Sequence, residues 1–375
     1  MILRVAVLGA NGFIGGRAVE RFHLAELAEV RPVVRSLDGL ARLARFDLDG
    51  RVADAFDQAA LRTAFAGCEA VIHAVAGDRK TILGTVEPTY RAAQEAGVRR
   101  LIYLSTASVH GQAPAKGTDE DSPLRTRQPL PYNTAKVLAE RKVQRLRDNG
   151  SVELVILRPG IVFGPRSYWI THFAENLLAG TAYLVNRGRG ICNSIYVDNL
   201  VHALHLAMTV PEADGHAFLV GDQELVTWAD LYRPIAATLG FDLAHVPDQG
   251  LPTATTTWLD RLNTIRFSDP AQAFLSFFPV KLRQAASNAL LACTERPPPS
   301  PWTHPASQQP VVTPEMVLLY QCQYKLPFNK ATQMLRYQPM YSFADGLERT
   351  LAWMVFAGYP VVGWPRSTGN TEPHG

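Results

Sequence analysis

Along the first third of the chain, short apolar runs alternate with stretches whose apolar residues recur every three or four positions. Residues 2–8, Val30–Val34, Arg51–Ala53, Ala70–Ala74 and Arg100–Ser105 read as strands. Gly12–Ala28, Asp57–Ala66 and Thr89–Ala96 read as helices. This alternation predicts an α/β fold, a doubly wound parallel sheet with helices on both faces and right-handed crossovers. A helix over Asn133–Asp148 leads to a further strand, Val152–Leu157. Beyond Gly164 the pattern loosens into a smaller mixed α/β region, with helices at Ile170–Leu178, Asp198–Met208, Thr227–Leu239 and Phe343–Met354. No internal repeat is evident.

Composition narrows this picture. The 375 residues carry 37 Lys+Arg against 34 Asp+Glu, a net charge of +3, so no basic surface argues for nucleic acid. At 47% hydrophobic and 19% charged, the chain can bury a sizeable core. Cys68, Cys192, Cys293 and Cys322 are scattered without metal-ligand spacing, which argues against zinc and against a disulfide framework. His202 and His205 share a helix face but lack a third ligand nearby, so no metal is expected. No secretory leader is recognisable, and no run approaches the roughly 18 apolar residues of a spanning helix. A soluble, cytoplasmic protein is expected. Prolines crowd residues 297–314, which read as a loop or linker.

The first strand ends in Gly9-Ala10-Asn11-Gly12-Phe13-Ile14-Gly15, with three glycines spaced by two residues between a strand and a helix. Gly9 permits the tight turn, Gly12 lets backbone approach a pyrophosphate, and Gly15 lets helix pack closely on strand. The free N–H groups of the helix then face the phosphates. The second strand runs into Arg35 rather than an acidic residue. An arginine there suits a 2′-phosphate and points to NADP, with NAD the alternative. Asp54, after the third strand, is a candidate hydrogen-bond acceptor for the adenine amino group.

Tyr132 and Lys136 lie one helical turn apart on one face. A free tyrosine, with a pKa of about 10, is a poor base at neutral pH. A neighbouring ammonium is expected to lower it, so that Tyr132 can exchange a proton with a substrate oxygen. The fifth strand ends in Ser105-Thr106-Ala107-Ser108, placing hydroxyls at the carboxyl-terminal sheet edge, where open α/β sheets bind ligands.

Together these motifs resemble the extended short-chain dehydrogenase/reductases, the NAD-dependent epimerase/dehydratase family. The resemblance also draws on His73-Ala74-Val75-Ala76, on Leu157-Arg158-Pro159-Gly160-Ile161-Val162-Phe163-Gly164-Pro165 and on Tyr196-Val197-Asp198-Asn199. It implies a Rossmann domain over 1–165, its sheet completed by part of 190–225. A substrate-binding region over 166–362 would carry an insertion at about 245–315, with 363–375 a flexible tail. It implies Tyr132 as proton donor and acceptor, Lys136 as its partner and a ribose ligand, and Thr106 as the active hydroxyl. The cofactor set becomes Gly9, Asn11, Gly12, Phe13, Ile14, Gly15, Arg35, Asp54, Ala74, Tyr132, Lys136, Pro159 and Ile161, and a homodimer through the tyrosine-bearing helix is implied.

Three departures stand out. His110 replaces the tyrosine usual before Gly111, and Ile82 and Pro88 stand where relatives carry asparagines. Pro159-Gly160 and Cys192-Asn193-Ser194 resemble the 3β-hydroxysteroid and sterol dehydrogenase branch more than the nucleotide-sugar branch. The expected activity is therefore interconversion of a secondary alcohol and a ketone on a bulky, hydrophobic small molecule. A nucleotide-sugar epimerase, dehydratase or reductase is the first alternative, with Arg166, Arg187 and Arg189 as candidate diphosphate ligands. A non-catalytic dinucleotide sensor is the second. The aromatic-rich stretch from Ala271 to Val280 reads as ordinary core, an apolar lid, or a surface making peripheral membrane contact.

Overall fold

The structure, a computed structural model, describes residues 3–249 and 312–362. Strands β1 (Arg4–Leu8), β2 (Glu29–Val34), β3 (Arg51–Val52), β4 (Ala70–His73), β5 (Arg100–Leu104), β6 (Glu153–Pro159) and β10 (Ala217–Val220) form one parallel sheet. Its order is β10-β6-β5-β4-β1-β2-β3. The order reverses at β1, where Val5 pairs with both Val30 and Ala70. Each strand alternates its side chains between the two faces. Val5, Val7, Ala70 and Ile72 join one core, while Ala6, Leu8 and Val71 join the other.

The first core holds α1 (Phe13–Leu24) and α7 (Val197–Thr209), together with α6 (Tyr168–Leu178) and α8 (Trp228–Thr238). The second holds α2 (Gln58–Phe65), α4 (Val86–Glu95) and α5 (Pro131–Asp148). Arg100, fully buried at the start of β5, ties the sheet to α7. Its guanidinium bonds Glu153 at 2.6 Å and donates to the Ala207 carbonyl at 2.9 Å. A cation there satisfies terminal carbonyls and complements the helix dipole.

Several elements differ from their sequence-based bounds. The first helix ends at Leu24 rather than near Ala28 because Glu26 adopts a left-handed φ of 52°. Glu26 and Leu27 then donate back to His23 and Phe22, the double hydrogen bond of a Schellman stop. A short helix not assigned from the sequence, α3 (Arg79–Gly84), precedes α4, because Asp78 accepts from the Thr81 amide at 2.8 Å and caps it.

Strand pairs β7 (Ile161–Phe163) with β9 (Ser194–Tyr196), and β8 (Ile191–Cys192) with β11 (Val226–Thr227), lie outside the main sheet. Two helices were not expected, α9 (Pro314–Tyr320) and α10 (Asn329–Leu335), and α11 (Phe343–Phe356) follows. The stretch Ala271–Val280 and the prolines before 312 lie outside the described residues. No described helix is long and apolar enough to cross a membrane.

Candidate active site

The glycine turn is built for close backbone approach. Gly9 has φ 88°, and its amide donates to Val33 of β2. A side chain at Gly9 would meet the Ala74 carbonyl at 2.9 Å, and one at Gly15 would collide with the Gly9 carbonyl. Gly12 caps α1 in extended conformation, without a side-chain cap and without an acidic residue in the first turn. The helix therefore presents its first N–H groups to an anion uncontested. This cradle fits a dinucleotide pyrophosphate.

Arg35 is exposed just past β2 and forms no ion pair among the described residues. Asp54 is exposed too, but one carboxylate oxygen already accepts from the Phe56 amide at 3.0 Å. Asn11 is exposed in the turn.

At the carboxyl ends of β5 and β6 a cleft of about 780 Å³ opens. Phe13, Ile14, Pro159 and Ile161 are among its apolar lining residues, and Thr106, Ser108 and Tyr132 among its polar ones. Tyr168, Trp169, His172, Tyr183, Glu315 and Leu319 also line it. Thr106 and Ser108 hydroxyls lie 2.7 Å apart, and the Thr106 oxygen also accepts from the Ser108 amide. Ser105 lines the cleft but turns its hydroxyl to Glu140 of α5.

The electrostatics differ from the sequence expectation. Lys136 is only 2% exposed, and its ammonium donates to the Leu104 carbonyl at 2.9 Å. No hydrogen bond joins it to Tyr132 among the described residues. Burial lowers Lys136 to about 8, against the opposing pull of Glu140. Tyr132 is pushed up to about 12, by desolvation in the cleft first and by the Glu315 carboxylate second, although its side chain as a whole is 38% exposed. The expected depression of Tyr132 by Lys136 is therefore not found. At neutral pH the Tyr132 hydroxyl is protonated.

His110 does not line the cleft. It lies 3.3 Å from the Arg158 guanidinium, and burial and that charge lower it to about 4. His202 and His205 pack beside Tyr337 and Phe22, and no group of potential metal ligands occurs among the described residues.

Residues 5–221 match the profile of the NAD dependent epimerase/dehydratase family. The chain belongs to this family. It is an NAD(P)-dependent oxidoreductase of the extended short-chain dehydrogenase/reductase type. A 3-beta-hydroxysteroid dehydrogenase from Mycolicibacterium neoaurum is 30% identical over 275 residues, covering 66% of this chain and 73% of its own. Cinnamoyl-CoA reductase 1 from Oryza sativa subsp. japonica is 29% identical, covering 58% and 71%. Among solved structures, a dTDP-glucose 4,6-dehydratase from Streptomyces venezuelae with NAD and DAU bound has the same fold. Its TM-score is 0.67 at 19% identity, over 94% of this chain and 97% of its own. With family membership settled as that of an enzyme, the sensor alternative falls away.

Two features of this dehydrogenase/reductase escaped sequence reasoning. Glu140 and Arg158 form an ion pair of 2.7 Å in which both side chains are buried, beneath Ser105. The signals were present: Glu140 follows Lys136 by one helical turn, and an arginine inside an apolar strand needs a buried partner. Glu315 had no such signal. It follows the proline-rich stretch, and only the tertiary fold brings it to the cleft.

Proposed function

We propose that this protein is a reductase acting on the carbonyl of a bulky, largely apolar small molecule that carries no anionic group. One observation carries the reading: no lysine or arginine is among the described residues lining the cleft. A nucleotide-sugar site must neutralise a diphosphate, and charge-assisted bonds from arginine are the usual means. Arg166, Arg187 and Arg189, the candidates for that task, do not line it. The steroid dehydrogenase relative at 30% identity supports the same choice.

The dinucleotide, when bound, supplies the hydride for the carbonyl carbon. The chain's own residues handle the oxygen. Tyr132, held protonated by its surroundings, donates to the developing alkoxide. Thr106, with its hydroxyl steadied by Ser108, orients that oxygen. Lys136, anchored on the Leu104 carbonyl, keeps a positive charge beneath the site below about pH 8. Gly9, Asn11, Gly12, Phe13, Ile14, Gly15 and Ala74 form the dinucleotide cradle, Pro159 and Ile161 the nicotinamide wall, and Asp54 a contact for adenine. Arg35, exposed and without an ion-pair partner among the described residues, supports a preference for NADP. Residues 3–165 with β10 form the cofactor layer, and most of the remaining described residues form the substrate side.

The test is cofactor oxidation at 340 nm with a 3-ketosteroid and a simple aryl ketone as separate substrates, and chromatography of UDP-glucose incubated with the chain and dinucleotide, because epimerisation and dehydration leave the cofactor's redox state unchanged. Turnover of either ketone is expected, and sugar-nucleotide turnover alone would reverse the reading. In the same assay Arg35→Ala should cost about tenfold in preference for NADPH over NADH. An unchanged ratio would remove Arg35 from the cofactor site.

A further inference from the structure

The far wall of the cleft carries one charge that hydride and proton transfer do not require. Glu315 stands in the first turn of α9 and is the one carboxylate among the described lining residues. Its Oε1 accepts a single hydrogen bond, from the Gln112 side chain at 3.2 Å. No ion pair reaches it among the described residues, and Met316, Leu319 and Trp169 share the same wall. An ionised carboxylate offers about four acceptor positions, so Gln112 leaves most of its capacity unused. A half-buried charge in that state is costly unless something donates to it.

We propose that Glu315 is the specificity-determining residue of this cleft. It selects carbonyl substrates that carry an N–H or O–H donor on the part remote from the carbonyl, and it rejects those carrying an anion there. The inference rests on the reductase reading above and names the substrate feature that reading leaves open. A donor placed on Glu315 adds to its hydrogen bonding, whereas an anion meets a like charge beside the half-buried carboxylate. The same contact links recognition to chemistry. The Glu315 charge acts on the Tyr132 hydroxyl, and a substrate ammonium would offset that influence at the proton donor.

Four aryl methyl ketones that differ only in the para group provide the test: hydrogen, hydroxyl, aminomethyl and carboxylate. Each is titrated calorimetrically into the full chain saturated with oxidised cofactor, with which a ketone cannot react. The hydroxyl and aminomethyl probes should bind at least about tenfold more tightly than the carboxylate probe. Glu315→Gln should reduce that ratio to less than about threefold while keeping cofactor affinity. Gln112→Leu, which strips from Glu315 its one donor among the described residues, should widen it.

Equal binding of the carboxylate and aminomethyl probes, an unchanged ratio in Glu315→Gln, a narrower one in Gln112→Leu, or no binding by any probe would each overturn the proposal. The reductase reading fails separately, if the native chain with reduced cofactor turns over neither the parent ketone nor a 3-ketosteroid.

Discussion

Two hollows of nearly equal size border β6, and they are built from opposite materials. The cleft holds about 780 Å³ behind aromatic walls, with Glu315 as its one acidic group among the described residues. The other, of about 740 Å³, is lined by Glu120, Asp121, Arg141, Arg145, Arg158 and Lys330 among others. By charge alone this polar hollow would be the better ligand site. Yet its charges are largely spent within the protein. Arg158 serves Glu140 and the Glu120 carbonyl, Arg141 the Leu124 carbonyl, and Lys330 Asp121. The cleft instead presents donors and acceptors with capacity to spare, at the carboxyl end of a parallel sheet. Capacity left over marks a site better than charge or volume does.

The sharpest way to break this comparison is Tyr132→Phe. Removal of the proton donor should lower turnover by about a thousandfold while cofactor affinity is retained, as read by steady-state kinetics and dinucleotide titration. Retained turnover would move the chemistry elsewhere.

Glu140 belongs to the wall between the hollows, since it bonds Ser105 on one side and Arg158 on the other. Glu140→Ala would leave the Arg158 guanidinium buried without its carboxylate. Denaturant unfolding should register a loss of about 3 kcal/mol or more.

Lys136 sharpens the contrast through pH. Its folded value of about 8 lies below the usual 10.5, so between these values the folded state binds fewer protons than the unfolded one. Stability from this group therefore rises with pH across that window, and its burial penalty is present in full below about pH 8. Thermal melts of the native chain and Lys136→Met should differ most at pH 7, in favour of the methionine variant, and converge towards pH 10. A difference independent of pH would refute the assignment.

The smallest effect is expected in the polar hollow. Arg145→Ala should change stability by less than about 0.5 kcal/mol and leave kcat/KM unaltered. A clear loss of activity would make that hollow functional and overturn the comparison.

The cofactor half was legible in the sequence because local rules dominate it. The Gly9, Gly12 and Gly15 spacing and the apolar runs of β1, β4 and β5 carry their structural meaning within a few residues. Boundaries slipped where a single side chain decided them, as at the Asp78 cap and at Glu26. Asp198 was singled out as part of a motif, but its partner Arg17, bound at 2.6 and 2.8 Å, lies far away in α1 and has no local signature. The substrate half was harder. Glu315 reaches the cleft through tertiary packing alone. The environment of Tyr132 depends on burial and on that distant carboxylate rather than on the Lys136 spacing that drew attention to it.

The seventh strand of the sheet, β10, enters only after the chain has built β7, β8, β9 and the helices between them. During synthesis the outer edge of β6 thus stays open while substrate-side segments emerge. An open strand edge is a template for pairing with another chain. Such late, long-range closure slows folding. Dependence on chaperones would therefore concentrate in the interval before Ala217–Val220 docks, and a fragment ending near 165 would be prone to self-association even with an intact glycine turn.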